Sequence, residues 1–541
     1  TAARRARPTR GDRRAANARD ATRARAREMD SLVNDDAAAA AAAMTREDDA
    51  TAAIDGAETR ETGDGGDVDA PRADEARKPP TNPNKKRKCA VTFAYVGAGY
   101  AGMQRNPGVR TIEGELEGAM ARARSFALPT FAQRAIADAR SGDAFPAAGL
   151  TAQVARQLVR DERSADANPK RNLASFVTTW MEEEAVDLMQ EALDVNAVDE
   201  DEYPSVRKFE NRCVAMLADL FHAPDGGRGA KAAGAATVGS SEAIFLGGLA
   251  MKIKWEERQA KKRDQPGADA GKPRGTPNLI MAGNVQVCWE KFCAYFDVEP
   301  RYVPNDADHL CLNVERALGM IDENTIGVCG ILGSTYTGHF EDIVALDAGV
   351  EALKSKGLEV PIHVDGASGA FIAPFAFPDL QWDFKLKNVV SINASGHKYG
   401  LVYPGIGWIV WRDWSMVPKK LIFTTNYLGA DLPSITINFS KGASQIVGQY
   451  YQFLRLGREG YTAIMSNLQR TKTFLTEKIA GTGCFRILSA DVGVPLVAFC
   501  LKPPEGGERR SFDEFDLADK LRERGWVVPA YSMPKDIKNM C

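Results

Sequence analysis

Lys398 is the residue whose chemistry most needs explaining. It lies in Ser391 to Gly400 (SINASGHKYG), after an apolar run from Asn388 to Ile392 and within a loop of small residues. The run reads as a buried strand, which puts the lysine where a core meets a cleft. A desolvated amine loses its proton readily and becomes a nucleophile toward a carbonyl. The plainer reading of any single lysine is a solvated surface group. A second stretch weighs against it. Pro361 to Gly369 (PIHVDGASG) is a short apolar strand ending in Asp365, 33 residues before Lys398. A strand-end carboxylate beside a strand-end lysine is the arrangement that pyridoxal 5'-phosphate requires: the amine holds the aldehyde as a Schiff base, and the carboxylate keeps the pyridine nitrogen protonated.

The phosphate of such a cofactor needs its own cradle. Gly239 to Ala243 (GSSEA) opens an apolar helical run that ends near Trp255. Amides at a helix N-terminus together with two hydroxyls make an anion site, so Ser240 and Ser241 are expected to hold the phosphate, with helix capping as the alternative. His363, one strand position before Val364, reads as structural or supporting rather than as a proton donor, because alternation along the strand leaves its direction open.

The elements around these residues alternate. Strands are expected at Asn278 to Met281, Ile326 to Leu332, Ile362 to Asp365, Val389 to Ile392 and Gly407 to Trp411, with helical patterns between them. That alternation argues for a mostly parallel sheet with helices on both faces, an α/β architecture. Four stretches, SINASGHKYGLVYPGIGWIVWR (391–412), TVGSSEAIFLGGLAMK (237–252), NLASFVTTWME (172–182) and NFSKGASQIVGQYYQFLRLGREGY (438–461), resemble the pyridoxal-phosphate-dependent glutamate decarboxylases. The resemblance runs from about residue 170 to the last residue.

It implies an aspartate-aminotransferase-like (fold type I) large domain over 172–468, an N-terminal arm over 123–171 and an incomplete small α+β domain over 469–541. It implies α-decarboxylation of L-glutamate to 4-aminobutyrate and carbon dioxide, with Lys398 and Asp365 catalytic. Ser395 and His397 would close the phosphate site from the lysine loop. Gln286 would cover one face of the cofactor ring, Ala367 the other, and Thr335 would hydrogen-bond near the ring edge. Ser175, Phe176 and, on weaker likeness, Asp199 would receive the distal carboxylate of glutamate from a neighbouring subunit, which implies a homo-oligomer, a dimer or a hexamer built of dimers. Gly366 stands where the family usually has alanine. Relatives continue past Trp526 to Pro534 with a strand carrying a substrate-binding arginine, whereas this chain stops at Cys541, so an unpaired edge is expected there.

The first part of the chain is a different polymer. Its first 27 residues carry ten arginines against two aspartates, an alanine run follows, and the composition then turns acidic. Residues 1–88 are expected to be a disordered leader, with a transit peptide as the lesser reading. Residues 89–122 contain Gly97-Ala-Gly-Tyr-Ala-Gly102, which fits a dinucleotide turn until Pro107 and Gly108 break the helix it would need. The same segment resembles the opening of a transfer-RNA pseudouridine synthase, without that family's catalytic aspartate motif. The alternatives are therefore another decarboxylase of this fold or, in a different class, an inactive RNA-modifying remnant.

Composition sets the remaining bounds. The net charge of −3 makes no case for nucleic acid or a membrane surface, and nine cysteines without a C-x-x-C pair make none for a disulfide framework or a metal site. A reducing, cytoplasmic setting is expected. No apolar run is long enough to span a bilayer.

Overall fold

A computed structural model describes residues 145–146, 149–174, 177–224, 232–265, 275–306, 309–425, 432–503 and 510–532. All of them belong to one compact unit, Thr130–Cys541. The expectations for the leader over 1–88 and the segment over 89–122 lie outside the described residues, as do those for Ser175 and Phe176.

The elements that build the site, in chain order, are helix α1 (Ala152–Arg163), α2 (Glu183–Glu191), α3 (Pro204–Leu220), strand β1 (Ala233–Thr237), α4 (Ser240–Arg263), β2 (Asn278–Ala282), α5 (Val287–Tyr295), β3 (Glu299–Val303), β4 (Thr325–Ile331), α6 (Ile343–Leu353), β5 (Ile362–Asp365), β6 (Val389–Ala394), β7 (Gly407–Trp411) and α7 (Ser444–Gly481). The seven strands form one sheet in the order β1-β7-β6-β5-β4-β2-β3. Four of the six pairings are parallel; only β7 runs against its neighbours.

Every residue of β2, β4, β5 and β7 is buried. Strands covered by helices on both faces need apolar residues at successive positions, which is why these segments read as continuous runs rather than alternations. Each fully buried Val, Ile or Leu there contributes about 1.5–3 kcal/mol by leaving water. Two strands escape the sequence reading. β1 (AGAAT) is built of alanine and glycine, and β3 (EPRYV) is a polar edge strand that contains Pro300; neither carries the β-branched signature.

α7 is a long helix broken at Gly457, whose φ of 54° and ψ of −168° suit glycine alone. The expected domain boundary at 468/469 falls inside this helix. α1 is capped by Thr151, yet none of its residues is buried.

Candidate active site

Parallel strands in such a sheet deliver their C-terminal ends to one edge, where ligands bind. β1 ends at Thr237 and leads to Ser240; β2 ends at Ala282 and leads to Gln286; β4 leads to Thr335; β5 ends at Asp365; β6 ends at Ala394 and leads to Lys398. These loops enclose a cavity of about 750 Å³ lined by Ser240, Ser241, Gln286, Thr335, Asp365, Ala367, Ser395, His397 and Lys398. Nine residues singled out from the sequence thus converge on one space, although 158 positions separate Ser240 from Lys398.

Asp365 forms the floor and is 6% exposed. The indole Nε1 of Trp289 donates to its Oδ2 at 2.9 Å. The amide Nδ2 of Asn393 donates to Oδ1 at 3.0 Å, and the backbone N–H of Ala367 to the same oxygen at 3.2 Å. Three donors thus fix both oxygens of the carboxylate in place.

Among the described residues Lys398 Nζ has a single long contact, to Ser368 Oγ at 3.3 Å. Burial pulls its pKa below the usual lysine range, and Asp365 and Cys288 pull it partly back. The main chain around it is tightly held. Thr178 donates its N–H to the carbonyl of His397 at 2.7 Å and its hydroxyl to that of Lys398 at 2.8 Å. Beyond the lysine the chain turns left-handed at Leu401 (φ 64°), a strained conformation for a residue with a γ-branched side chain. α7 fixes that turn: Gln449 Nε2 and Tyr461 OH donate to the carbonyl of Gly400, and Gln452 Nε2 to that of Leu401.

At the opposite wall, α4 begins at Ser240 with Gly239 as its N-cap and no side-chain cap, so neither serine caps the helix. Ser240 Oγ lies 2.7 Å from Ser395 Oγ, joining the helix start to the lysine loop. His397 Nδ1 is buried with no hydrogen-bond partner among the described residues. Burial, with the charge of Lys398, lowers the His397 pKa to about 4, which keeps the ring neutral. Glu242 accepts from the N–H groups of Val238, Ile437 and Asn438 at 2.8, 2.8 and 3.0 Å and pins the 437–438 segment against the same wall.

Gln286 has a second occupation: its side chain caps α5 by accepting from the N–H of Cys288 at 2.7 Å. Asp199 does not line the cavity; its carbonyl accepts from the N–H of Tyr203 at 2.9 Å. Trp289, Asn393, Ser368 and Thr178 were not foreseen. Asn393 had a readable signal, since it is a polar residue two positions from Ser391 in an otherwise apolar strand.

The pyridoxal-dependent decarboxylase conserved domain matches residues 150–502. Glutamate decarboxylase of Petunia hybrida is 50% identical over 414 residues, covering 76% of this chain and 80% of its own. That of Lactococcus lactis subsp. cremoris is 49% identical over 388 residues, 72% of this chain and 81% of its own. Among solved structures, Lactobacillus brevis glutamate decarboxylase superimposes with a TM-score of 0.68 at 44% identity, covering 73% of this chain and 87% of that one. With half of its residues shared over most of both lengths, the chain belongs to the pyridoxal-dependent decarboxylase family, among its glutamate decarboxylases, and has their type I fold.

Proposed function

We infer that this pyridoxal-phosphate-dependent glutamate decarboxylase uses Lys398 as the amine that bonds the cofactor, Asp365 as the partner of its ring nitrogen, and L-glutamate as substrate. The observation that carries the reading is the shared cavity. A desolvated lysine and a triply hydrogen-bonded carboxylate face one space at the C-terminal ends of adjacent strands. The residues fit the cofactor on independent grounds. The first turn of α4 has amides without acceptors inside the helix, two hydroxyls meet there, and the unpartnered Nδ1 of His397 lies on the same cavity.

When bound, pyridoxal phosphate supplies a carbonyl carbon for amines and a ring that accepts the electron pair left when carbon dioxide departs. The chain does the rest. Ser240, Ser241, Ser395 and the α4 amides would hold the phosphate. Asp365, fixed by its three donors, would hold the proton on the ring nitrogen. Ala367 and Gln286, which line the cavity, would border the ring, and Thr335 would meet its edge. Lys398 gives up its one long hydrogen bond at little cost, and its lowered pKa favours the neutral amine that must form and leave a covalent bond.

The distal carboxylate of the substrate is assigned to Ser175 and Phe176, supported by Asp199, reached from a second copy of the chain. The exposed Leu173 and Trp180, 56% and 62% accessible beside that segment, are the kind of apolar surface a partner covers. Cytoplasmic placement belongs to the same reading, supported by seven free cysteines among the described residues. Among those residues no helix is long and apolar enough to cross a membrane.

The test is carbon dioxide release by the cofactor-loaded protein from L-glutamate, L-aspartate and aromatic amino acids. Release from glutamate well above the others is expected; preference for an aromatic substrate would replace glutamate with the alternative decarboxylase reading.

A further inference from the structure

β5 and β6 are parallel neighbours, and a one-residue irregularity sets their register. Ile362 pairs with Val389, but His363 pairs with Ser391 and Asp365 with Asn393, so Val390 is the extra residue. Side chains alternate along a strand, and directly paired residues share a face. His363, Asp365, Ser391 and Asn393 therefore all project to one side of the sheet, polar groups in otherwise apolar strands. All four are buried, three of them completely. Bulges that re-aim side chains recur beside active sites.

The contacts run in one line. His363 Nδ1 is 2.7 Å from Ser391 Oγ, His363 Nε2 is 2.8 Å from Asn393 Oδ1, and Asn393 Nδ2 donates to Asp365 Oδ1 at 3.0 Å. Direction follows from the end of the line. A carboxylate only accepts, so Asn393 must present its NH₂ to Asp365 and its oxygen to His363. His363 must then carry its proton on Nε2, which leaves Nδ1 to accept from the Ser391 hydroxyl. Burial lowers the His363 pKa, in keeping with a neutral ring. The ring has no room to turn away: Trp289 meets it edge-on at 5.1 Å between centroids, and a Cβ on Gly247 of α4 would come within 2.7 Å of it.

We propose that Ser391, His363 and Asn393 form a directional hydrogen-bond chain that positions Asp365 and holds it ionised against the ring nitrogen of the cofactor. The proposal rests on the reading that Asp365 faces that nitrogen. Ser391, His363 and Asn393 touch neither substrate nor cofactor; they are positioning residues that act through Asp365. Each donor in the line points toward the carboxylate, so the bond dipoles add and their sum favours negative charge on Asp365. The serine hydroxyl matters because it selects the histidine tautomer, and a histidine with its proton on Nδ1 would set two acceptors, Nε2 and Asn393 Oδ1, against each other.

The test loads the full-length chain with pyridoxal phosphate carrying ¹⁵N in its ring and reads the protonation of that nitrogen by NMR. Wild type is expected to show a protonated ring. Asn393→Ala and His363→Phe should move the signal toward the unprotonated position and lower kcat by about tenfold to a hundredfold with KM little changed, the size expected for loss of a hydrogen bond to a charged group. Ser391→Ala should do so less, and Ser391→Thr, which keeps the hydroxyl, should restore the wild-type signal. A ring that stays protonated in Asn393→Ala and His363→Phe but not in Asp365→Asn overturns the chain and leaves the Asp365 reading intact. A ring that stays protonated in Asp365→Asn as well overturns both. Neutron diffraction of the wild-type holoenzyme needs no variant to fold: deuterium on His363 Nε2 and none on Nδ1 is expected, and deuterium on Nδ1 overturns the proposal.

Discussion

The two charged groups of the cavity are held in opposite ways. Asp365 accepts from an indole, an amide and a backbone N–H, each itself fixed by a strand, a helix or a turn. Among the described residues Lys398 Nζ has one contact of 3.3 Å, while the main chain beneath it is clamped by Thr178 and by three side chains of α7. The difference follows from what each group must do. A carboxylate that stabilises a ring proton works best when its charge and direction never change. An amine that forms and releases a covalent bond must be free at its tip and accurately anchored at its base.

Substitutions should separate these two kinds of support. Lys398→Ala removes the reacting amine and should lower kcat by roughly 10⁴-fold or more, the range for loss of a nucleophile, while the melting temperature of the cofactor-free protein stays near wild type because Nζ contributes one weak bond. Asp365→Asn keeps the shape but removes the charge, and should cost about 10²–10³-fold in kcat by steady-state assay, the size of a lost electrostatic stabiliser. Trp289→Phe keeps an aromatic ring at the site, smaller than the indole, and removes the donor to Oδ2. It should cost about 2 kcal/mol of transition-state stabilisation, measured as kcat/KM. A loss in Trp289→Phe as large as in Asp365→Asn would break the contrast, since it would make the indole an active participant rather than a support.

Gly366 tests how tightly the carboxylate corner is built. A Cβ there would lie 2.7 Å from Ala370 Cβ and 2.9 Å from the carbonyl oxygen of Asn393. Gly366→Ala should therefore destabilise this protein by about 1–3 kcal/mol in denaturant unfolding, the cost of overpacking. Pairing it with Ala370→Gly should return most of that loss.

The smallest effect concerns pH. His397 titrates at 6.5 when unfolded and at about 4 in the folded protein. Between those values the unfolded chain binds the proton and the folded one does not, so stability falls as pH drops from about 6.5 to 4. His339 and His363 are lowered too and add slopes of the same sign. His397→Gln should flatten only its own share of the pH dependence of unfolding in the cofactor-free protein; an unchanged slope would contradict the neutral, buried ring.

Much of this was legible because reactive residues at strand ends announce themselves. Asp365 closes an apolar run with a charged group, Lys398 follows another within a loop of small residues, and the helix opened by Ser240 follows a glycine. Five of the seven strands were readable as buried apolar runs, whereas β1 and β3 lack large side chains or carry charge and proline. The supporting shell was harder to see. Trp289 lies 76 residues before Asp365, and nothing in an isolated tryptophan says whether its N–H meets a carboxylate or a carbonyl. Thr178 likewise reaches 220 positions along the chain to the lysine carbonyl. Asn393 and His363 were visible only as polar residues with a period of two, and their pairing depends on a register shift at Val390 that local sequence does not announce.

The most direct test of the account is to load the purified chain with pyridoxal phosphate, reduce it with borohydride, digest it and locate the attached cofactor by mass spectrometry. One labelled peptide is expected, carrying the cofactor on Lys398, with no label in Lys398→Ala. Label on another lysine, or none in folded and soluble wild type, would contradict it.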